Sequence, residues 1–309
     1  MTGGAGFIGS HLVESLVESG SPVRVLDDFS TGREENLAPI RDRIELLRGD
    51  LRDEGICRRA VEGVGLVFHQ AALGSVPRSL ARPERTLGVN VGGTGNLLAA
   101  AREAGVERFV YASSSSVYGD SSRLPKREGE EGAPLSPYAL SKRMNEELAD
   151  VFQRCYDLGT VGLRYFNVYG PRQDPAGPYA AVVPRFVERG LRGEAMTIHG
   201  DGEQSRDFTY VADAVRANLL AAEAGKEATN RVFNVAGGRR VTVNELARRI
   251  RELTKSGTPP RHGPARPGDV RHSLADLTEA ERGLGYAPTV SLEEGLRRTV
   301  EAYRRGSST

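Results

Sequence analysis

The sequence is poor in the features that mark several classes of protein. Only two of its 309 residues are cysteine, too few for a disulfide framework, which fits a reducing cytoplasm. Neither lies in a CxxC pair and the five histidines form no HxxxH or HExxH pattern, so no zinc site is expected. The net charge of +1 argues against general attraction to nucleic acid or to an anionic membrane. No apolar run approaches the ~20 residues of a membrane span and no signal-peptide pattern opens the chain, so we expect a cytoplasmic protein.

Short apolar stretches alternate with amphipathic segments over the first two thirds of the chain. The candidate strands read SPVRVLD, IELLRGD, GLVFHQAA, RFVYASS and TVGLRYFNV. Helical patterns such as SHLVESLVES and VNVGGTGNLLAAAREAG lie between them. Strands that alternate with helices are typical of βαβ units, so the pattern predicts an α/β fold built on a doubly wound parallel sheet.

A glycine-rich turn lies at the start of the chain. The segment TGGAGFIGSHL contains Gly3-x-x-Gly6-x-x-Gly9 and, counted from Gly4, also GxGxxG. Glycines permit the tight turn and let the backbone approach a pyrophosphate, whose charge is favoured at the N-terminus of the following helix. The turn therefore predicts a dinucleotide site of the Rossmann type.

Carboxylates follow the next two candidate strands. Asp27 and Asp28 end VRVLDD, roughly 20 residues after the glycines, where an acid binds the adenosine ribose hydroxyls and repels a 2′-phosphate. This position favours NAD over NADP; the alternative is that the two aspartates only close a strand. Asp50, in RGDLRD, follows the next candidate strand, where a carboxylate could reach the adenine amine.

The strand that should precede the glycine turn is largely missing from the sequence. This leaves two interpretations, a start assigned too late or a truncated chain. Since the first strand of such a sheet is central and buried, its loss is expected to destabilise the fold.

The composition changes after about residue 170. The segments PRQDPAGPYAAVVPR and SGTPPRHGPARPGD are rich in proline and glycine, which indicates loops over a second unit. We expect an NAD-binding Rossmann domain over residues 1–165 and a smaller C-terminal α/β lobe over residues 166–309. Part of the stretch 205–250 is expected to return to the first domain.

The segment LSPYALSKRMNEELA predicts a helix that carries a tyrosine and a lysine on one face. Ser136 suits the N-cap and Pro137 the first helical position, which places Tyr138 and Lys142 four residues apart. An ammonium beside a phenol lowers the phenol pKa, so the pair predicts a tyrosine that acts as a base. The alternative is a surface tyrosine beside a solvated lysine.

Taken together, these motifs resemble the NAD-dependent nucleotide-sugar epimerase/dehydratase family, which are extended short-chain dehydrogenases/reductases. The resemblance runs from residue 2 to residue 276. It rests on TGGAGFIGSH, LDD, GDLRD, HQAA, NVGGT, YASSSSVYG, SPYALSK, RYFNVYGPRQ, GDGEQSRDFTYVAD and RPGDVRHSLAD. It implies NAD as a tightly held cofactor, a UDP-sugar as substrate bound mainly by the C-terminal lobe, and a homodimer. The expected dimer contacts are made by two helices, PERTLGVNVGGTGNLLAAAREAG and SPYALSKRMNEELADVF.

The resemblance also assigns the site residues. It implies that Ser114, Tyr138 and Lys142 are catalytic. The cofactor-binding residues that it implies are Gly3, Gly6, Phe7, Ile8, Gly9, Asp27, Asp28, Asp50, Leu51, Ala71, Asn90, Tyr138, Lys142 and Tyr165. The substrate-binding residues that it implies are Gly74, Ser75, Ser115, Ser116, Asn167, Gln173, Ala181, Val182, Arg206, Arg266, Asp269 and Ser273.

The run of four serines bears on the reaction. Related 4,6-dehydratases carry an acidic pair where Ser115 and Ser116 stand, and decarboxylating relatives carry a glutamate. Without an acid, the resemblance implies that a 4-keto sugar can only be reduced again, on either face, which is epimerisation at C4.

Three positions bear on the choice of sugar. Ser273 stands where hexose-specific epimerases carry a bulky tyrosine, and Gly74 where galactose epimerases carry a lysine. Both favour the UDP-N-acetylglucosamine/UDP-N-acetylgalactosamine pair, with UDP-glucose/UDP-galactose next. Asp174 stands where glucuronate epimerases carry an arginine, which disfavours UDP-glucuronate. A reductase and an inactive NAD-binding scaffold of the same fold are the alternatives from other classes.

Overall fold

Six parallel strands form the main sheet of the protein, whose structure is a computed structural model that describes residues 1–176, 180–265 and 270–306. These strands are β1 (Val23–Asp27), β2 (Ile44–Arg48), β3 (Leu66–His69), β4 (Arg108–Ser114), β5 (Gly159–Tyr165) and, further along the chain, Arg231–Val235. The last of them pairs with β5, β5 with β4 and β4 with β3, while β1 pairs with β2. The alternating pattern therefore predicted the α/β class correctly.

Thr2 connects the two halves of this sheet. It forms a parallel bridge to Leu26 of β1 on one side and to His69 of β3 on the other. Its backbone N–H donates to the Phe68 carbonyl at 2.9 Å, and the N–H of Gly3 donates to the Leu26 carbonyl at 2.9 Å. The short segment before the glycine turn thus occupies the place of the central strand. The direction of the strand order reverses at this point, where doubly wound sheets bind their ligands.

Helices cover both faces of the sheet. In chain order, the α-helices of the described residues are α1 (Phe7–Glu18), α2 (Glu54–Val61), α3 (Val76–Ala81), α4 (Pro83–Leu87), α5 (Gly93–Glu103), α6 (Pro137–Tyr156), α7 (Val182–Leu191), α8 (Val211–Glu223), α9 (Val243–Thr254), α10 (Thr278–Leu284) and α11 (Leu292–Gly306), of which α7, α9 and α11 belong to the C-terminal part. Successive residues of β4 alternate between two cores: Phe109 packs with α2, α5 and α6, and Val110 packs with α1, α8 and α10. Burial on both sides explains why the strands read as continuous apolar runs.

The C-terminal part adds a smaller α/β unit with its own core. Its short strands, continuing the numbering, are β6 (Val168–Tyr169), β7 (Thr197–His199), β8 (Ser205–Asp207), β9 (Thr209–Tyr210), β11 (Arg240–Thr242) and β12 (Arg261–Gly263). The strand Arg231–Val235 of the main sheet is β10. Strand β7 pairs with β12, β8 pairs with β11, and α7, α9 and α11 pack together over them. Among the described ranges, no helix combines the length and the apolar composition needed to cross a membrane.

Candidate active site

A cavity of about 940 Å³ opens at the carboxyl edge of the main sheet. It is lined by the glycine turn before α1 and by residues at the ends of strands, among them Asp27, Ser114 and Tyr165. Residues of the C-terminal unit, such as Arg206 and Ser273, close its other side. Parallel strands bring their carboxyl ends to one edge, so residues far apart in sequence meet in one cleft.

Almost all of the predicted site residues line this cavity. They are Gly3, Gly6, Phe7, Ile8, Gly9, Asp27, Asp28, Asp50, Leu51, Ala71, Gly74, Ser75, Ser114, Ser115, Ser116, Tyr138, Lys142, Tyr165, Asn167, Gln173, Ala181, Val182, Arg206 and Ser273. Arg266 and Asp269 lie outside the described residues. Asn90 does not line the cavity, and its side chain instead hydrogen-bonds the Leu73 backbone and the Ser141 hydroxyl. Its predicted contact with the cofactor stays a prediction.

The glycine turn leaves no room for side chains. A Cβ on Gly9 would lie 2.0 Å from the Gly3 carbonyl oxygen, and one on Gly3 would lie 2.6 Å from the Ala71 nitrogen. Gly3 also has φ +69°, a conformation that other residues rarely adopt. The helix that follows begins at Gly6 with no side-chain cap and no acid in its first turn. An uncapped, positively polarised helix end beside a bare backbone turn fits a pyrophosphate.

The aspartates beyond this turn are held by their own neighbours. The Asp27 carboxylate accepts hydrogen bonds from the N–H groups of Ala5 at 2.9 Å and Phe29 at 2.8 Å. Burial raises the pKa of Asp27, and these two hydrogen bonds oppose that shift. Asp27 therefore stabilises the glycine turn through the Ala5 N–H and also lines the cavity. Asp50 pairs with Arg52 at 2.5 Å, and that hydrogen bond holds the pKa of Asp50 below its usual range.

Tyr138 and Lys142 lie together in the floor of the cavity. Ser136 caps α6 by accepting from the Ala139 N–H at 3.1 Å, as predicted, which sets the first turn and both side chains on one face. The Ser114 side chain lies close enough to the Tyr138 phenol to lower its pKa. The Lys142 Nζ donates to the Ala112 carbonyl at 2.7 Å.

Electrostatics at this pair differ from the sequence prediction. Burial raises the pKa of Tyr138, and the Ser114 side chain opposes that rise, while Lys142 is not among the causes. Burial also lowers the pKa of Lys142 to about 8, and Glu146 opposes that fall. The reason is the direction of the lysine side chain, which is bound to the strand carbonyl of Ala112 rather than to the phenol.

Comparison with known proteins decides the family. The profile of the NAD dependent epimerase/dehydratase family matches residues 1–236. The chain belongs to this family. A UDP-glucose 4-epimerase from Thermotoga maritima, solved with UDP-glucose, is 44% identical over 99% of this chain and 98% of its own, with a TM-score of 0.95. NAD is the cofactor of the protein described here.

Two further relatives show the spread of activities in the family. A UDP-N-acetylglucosamine 4-epimerase from Methanobrevibacter ruminantium, solved with UDP-N-acetylmuramic acid, is 40% identical over 99% of this chain and 97% of its own, with a TM-score of 0.94. A UDP-N-acetyl-alpha-D-glucosaminuronate decarboxylase from Bacillus cytotoxicus is 33% identical over 98% of this chain and 97% of its own length. Membership alone thus leaves the reaction and the sugar undecided.

The four consecutive serines at positions 113–116 have different surroundings. Ser113 lines the cavity and donates to the Glu146 carboxylate at 2.5 Å. Ser114 contacts Tyr138, and Ser115 lines the cavity beside it. The Ser116 hydroxyl is buried, lines the cavity and has no hydrogen-bond partner among the described residues. A buried hydroxyl without a partner is costly, so Ser116 fits a site that a polar ligand completes.

The C-terminal unit contributes polar groups to the same cavity. The Asn167 amide donates to the Asp207 carbonyl at 2.8 Å, and the Gln173 amide donates to the Val168 carbonyl at 3.1 Å. The Gln173 Oε1 is buried and has no hydrogen-bond partner among the described residues. Arg206 donates to the carbonyls of Ser205 and Arg271 and also lines the cavity.

Some residues of the site were not predicted. Gln70 lines the cavity and donates to Tyr165 at 3.0 Å, and Lys126 lines it from a loop. Arg164 and Glu146 form a buried ion pair behind Lys142. The available signals were a lysine in the loop before α6 and an arginine inside the apolar run TVGLRYF.

Proposed function

We propose that this protein is a UDP-sugar 4-epimerase. The observation that carries the proposal is the distribution of acids in the cavity. Among the described residues that line it, the carboxylates are Asp27, Asp28 and Asp50, all of which follow β1 or β2. The end that holds Ser114 and Tyr138 has serines where dehydrating and decarboxylating relatives are expected to carry acids. A 4-keto sugar there meets no group that would expel water or assist decarboxylation.

The roles of the residues follow from their contacts. Tyr138 exchanges a proton with the C4 hydroxyl, and Ser114, which lies beside the phenol, steadies the same oxygen. The Lys142 ammonium, one helical turn beyond Tyr138, donates to the Ala112 carbonyl and would help to hold NAD. The glycine turn would hold NAD, which would supply the hydride acceptor at C4 and the hydride donor for the opposite face of the 4-keto sugar, so that C4 is inverted.

The proposed substrates are UDP-N-acetylglucosamine and UDP-N-acetylgalactosamine, with UDP-glucose and UDP-galactose next. Ser273 lines the cavity with a small side chain, and a Cβ on Gly74 would meet nothing within 4 Å. Both leave room beside the sugar. The unpartnered Ser116 hydroxyl supports a polar substituent at this end.

A second candidate is UDP-glucuronate 4-epimerisation. It is favoured by Lys126, which lines the cavity and carries a positive charge that would attract the carboxylate of glucuronate. The argument against it from Asp174 is weakened by the structure. Asp174 does not line the cavity, because its carboxylate pairs with Arg33 at 2.8 Å.

The deciding experiment is turnover of a panel of UDP-sugars, followed by chromatographic separation of the C4 epimers. Interconversion of the N-acetylated pair without added cofactor supports the proposal, because the bound NAD is regenerated in each cycle. Bound NAD without turnover of any sugar would instead indicate a binding scaffold. Net consumption of NADPH would indicate a reductase.

We also propose that residues 1–165 bind the cofactor and residues 166–309 bind mainly the sugar, with α8 and β10 of the second range belonging to the first domain.

We further propose that the protein is a homodimer and that it works in the cytoplasm. Support for the dimer comes from α6, on which Leu140 is 42% and Val151 41% exposed, and from Leu80 of α3, which is 63% exposed. The apolar stripe of α6 formed by Leu140, Leu148 and Val151 is only partly exposed, since Leu148 packs on the core. Sedimentation as a monomer at micromolar concentration would contradict the dimer.

A further inference from the structure

Three consecutive residues of β4 face three side chains of α6. Lys142 donates to the Ala112 carbonyl, Ser113 donates to the Glu146 carboxylate, and Ser114 lies close enough to Tyr138 to lower its pKa. The three helix residues are spaced by four, so they lie along one face of α6. Two of them belong to the proposed catalytic set. Glu146, one turn beyond Lys142, has no role in the proposed reaction.

Glu146 is held by an arginine from the neighbouring strand. Arg164, on β5, donates from Nε to one carboxylate oxygen and from Nη2 to the other, both at 2.8 Å. The side chains of the pair are only 4% and 9% exposed. Such a bidentate contact fixes the carboxylate in orientation as well as in position.

The buried cluster carries a net negative charge. Arg164 also donates to the Glu131 carboxylate and to the Tyr118 hydroxyl, the latter at 3.1 Å. Two carboxylates therefore share one guanidinium. Burial raises the pKa of Glu131, but the Arg164 charge together with hydrogen bonds from the Gly129 N–H and from Arg164 holds that pKa below its usual range. The uncompensated negative charge lies one helical turn from the Lys142 ammonium.

We propose that Glu146 is a positioning residue of the active site: clamped by Arg164 and Ser113, it aligns α6 with the end of β4 and supplies the charge that keeps Lys142 protonated. It acts through Lys142 and Ser114 and lines no part of the cavity. The inference rests on the proposed roles of Tyr138 and Lys142.

The other titratable groups around Lys142 keep their charge state near neutral pH. Burial lowers the pKa of His69, on β3, to about 3 and raises the pKa of Tyr165, on β5, to about 12. Burial also raises the pKa of Tyr111, on β4, well above its usual range. Arg164 stays charged. Lys142 is therefore the group whose titration the charge of Glu146 controls.

Glu146→Gln tests the proposal, because it removes the charge and nearly preserves the shape. Arg164 keeps Glu131 as a partner, so no unpaired charge is left buried. Loss of a negative charge favours the neutral amine at Lys142. The alkaline limb of the pH profile of kcat/KM, where Lys142 loses its proton, should therefore move to lower pH by about one unit. The neighbouring Glu147→Gln is the matched control, since that side chain is 67% exposed and pairs only with Arg143.

A second measurement is independent of catalysis. The chain has four lysines, namely Lys126, Lys142, Lys226 and Lys255. Competitive labelling with acetic anhydride across the pH range in which amines titrate, read by mass spectrometry, gives the midpoint of Lys142, with the exposed Lys226 and Lys255 as internal references. In Glu146→Gln the Lys142 midpoint should fall by about one unit and the references should not move.

The outcomes separate this inference from the proposed function. A shifted Lys142 midpoint supports it whether or not a UDP-sugar is turned over. If Glu146→Gln does not fold, Glu146→Asp keeps the charge, and its profile should stay near the wild-type position even where kcat falls. A uniform loss of kcat/KM with unmoved limbs and an unmoved Lys142 midpoint would show that Glu146 only stabilises the fold.

Discussion

The Ser114 side chain, at the last residue of β4, lies close enough to the Tyr138 phenol, in the first turn of α6, to lower the pKa of the phenol. This relationship places a hydroxyl beside the group that is proposed to exchange a proton with the substrate. Removal of the phenol hydroxyl would end the relationship and leave the ring in place.

Tyr138→Phe should therefore abolish most of the activity and leave the fold intact. The ring still fills its place, while the group that exchanges a proton with the C4 hydroxyl is lost. We expect kcat to fall by at least ~10²-fold, the lower end for one acid–base group. Epimer interconversion and thermal unfolding are the two measurements. Near-normal turnover by a normally stable variant would remove Tyr138 from the mechanism.

Gly9→Ala should weaken both the fold and the hold on NAD. The new Cβ would lie 2.0 Å from the Gly3 carbonyl oxygen, so the phosphate turn must move. Overpacking of this kind costs on the order of 1–3 kcal/mol. The measurements are the unfolding temperature and the NAD content per chain. Gly95→Ala is the control: it lies within α5, where the Cβ meets nothing within 4 Å, and should be neutral or stabilising.

Ser273→Tyr should shift the choice of substrate. The residue lines the cavity, and a tyrosine would fill space that an acetamide needs and a hydroxyl does not. A clash of about 1–3 kcal/mol should change the ratio of kcat/KM between N-acetylated and plain sugars by at least about tenfold. Ser273→Ala, which adds no volume, should leave the ratio unchanged. Equal losses on both pairs would assign the selectivity to another residue.

His69 should make stability depend on pH. Its ring is buried between Thr2, bonded at 2.7 Å, and Thr94, bonded at 2.8 Å, and burial lowers its pKa to about 3. In the unfolded chain His69 takes up a proton near pH 6.5, whereas in the folded chain its ring stays neutral down to about pH 3. The contribution of His69 to the free energy of unfolding is therefore fully present above pH 6.5 and is lost as the pH falls towards 3. The slope should approach ~1.4 kcal/mol per pH unit.

Denaturant unfolding at several pH values measures this slope. His69→Gln keeps a polar side chain that does not titrate in the window, and its free energy of unfolding should fall less steeply with acid than that of the wild type. His262→Gln, at an exposed ring, should retain the wild-type slope. If His69→Gln keeps that slope as well, other groups cause the acid sensitivity.

Local patterns in the sequence predicted the fold class and part of the cavity lining, while the family resemblance supplied the other candidate residues. Alternating apolar runs indicated the parallel sheet, and glycines spaced by three indicated the turn at its switch point. The spacing of four between Tyr138 and Lys142 placed both on one face of α6. These inferences succeed because each depends on backbone geometry within one element, which neighbouring residues determine.

Only the tertiary structure decided which distant groups became partners. Asn90 binds Leu73, Asp174 pairs with Arg33, and Arg164 reaches Glu146 across two elements. Periodicity shows which face of a helix or strand is buried but not what lies opposite it. Hydrogen bonds and ion pairs between elements depend on how those elements pack, and so the sequence alone determined the chemistry-bearing residues, while packing decided their partners and protonation.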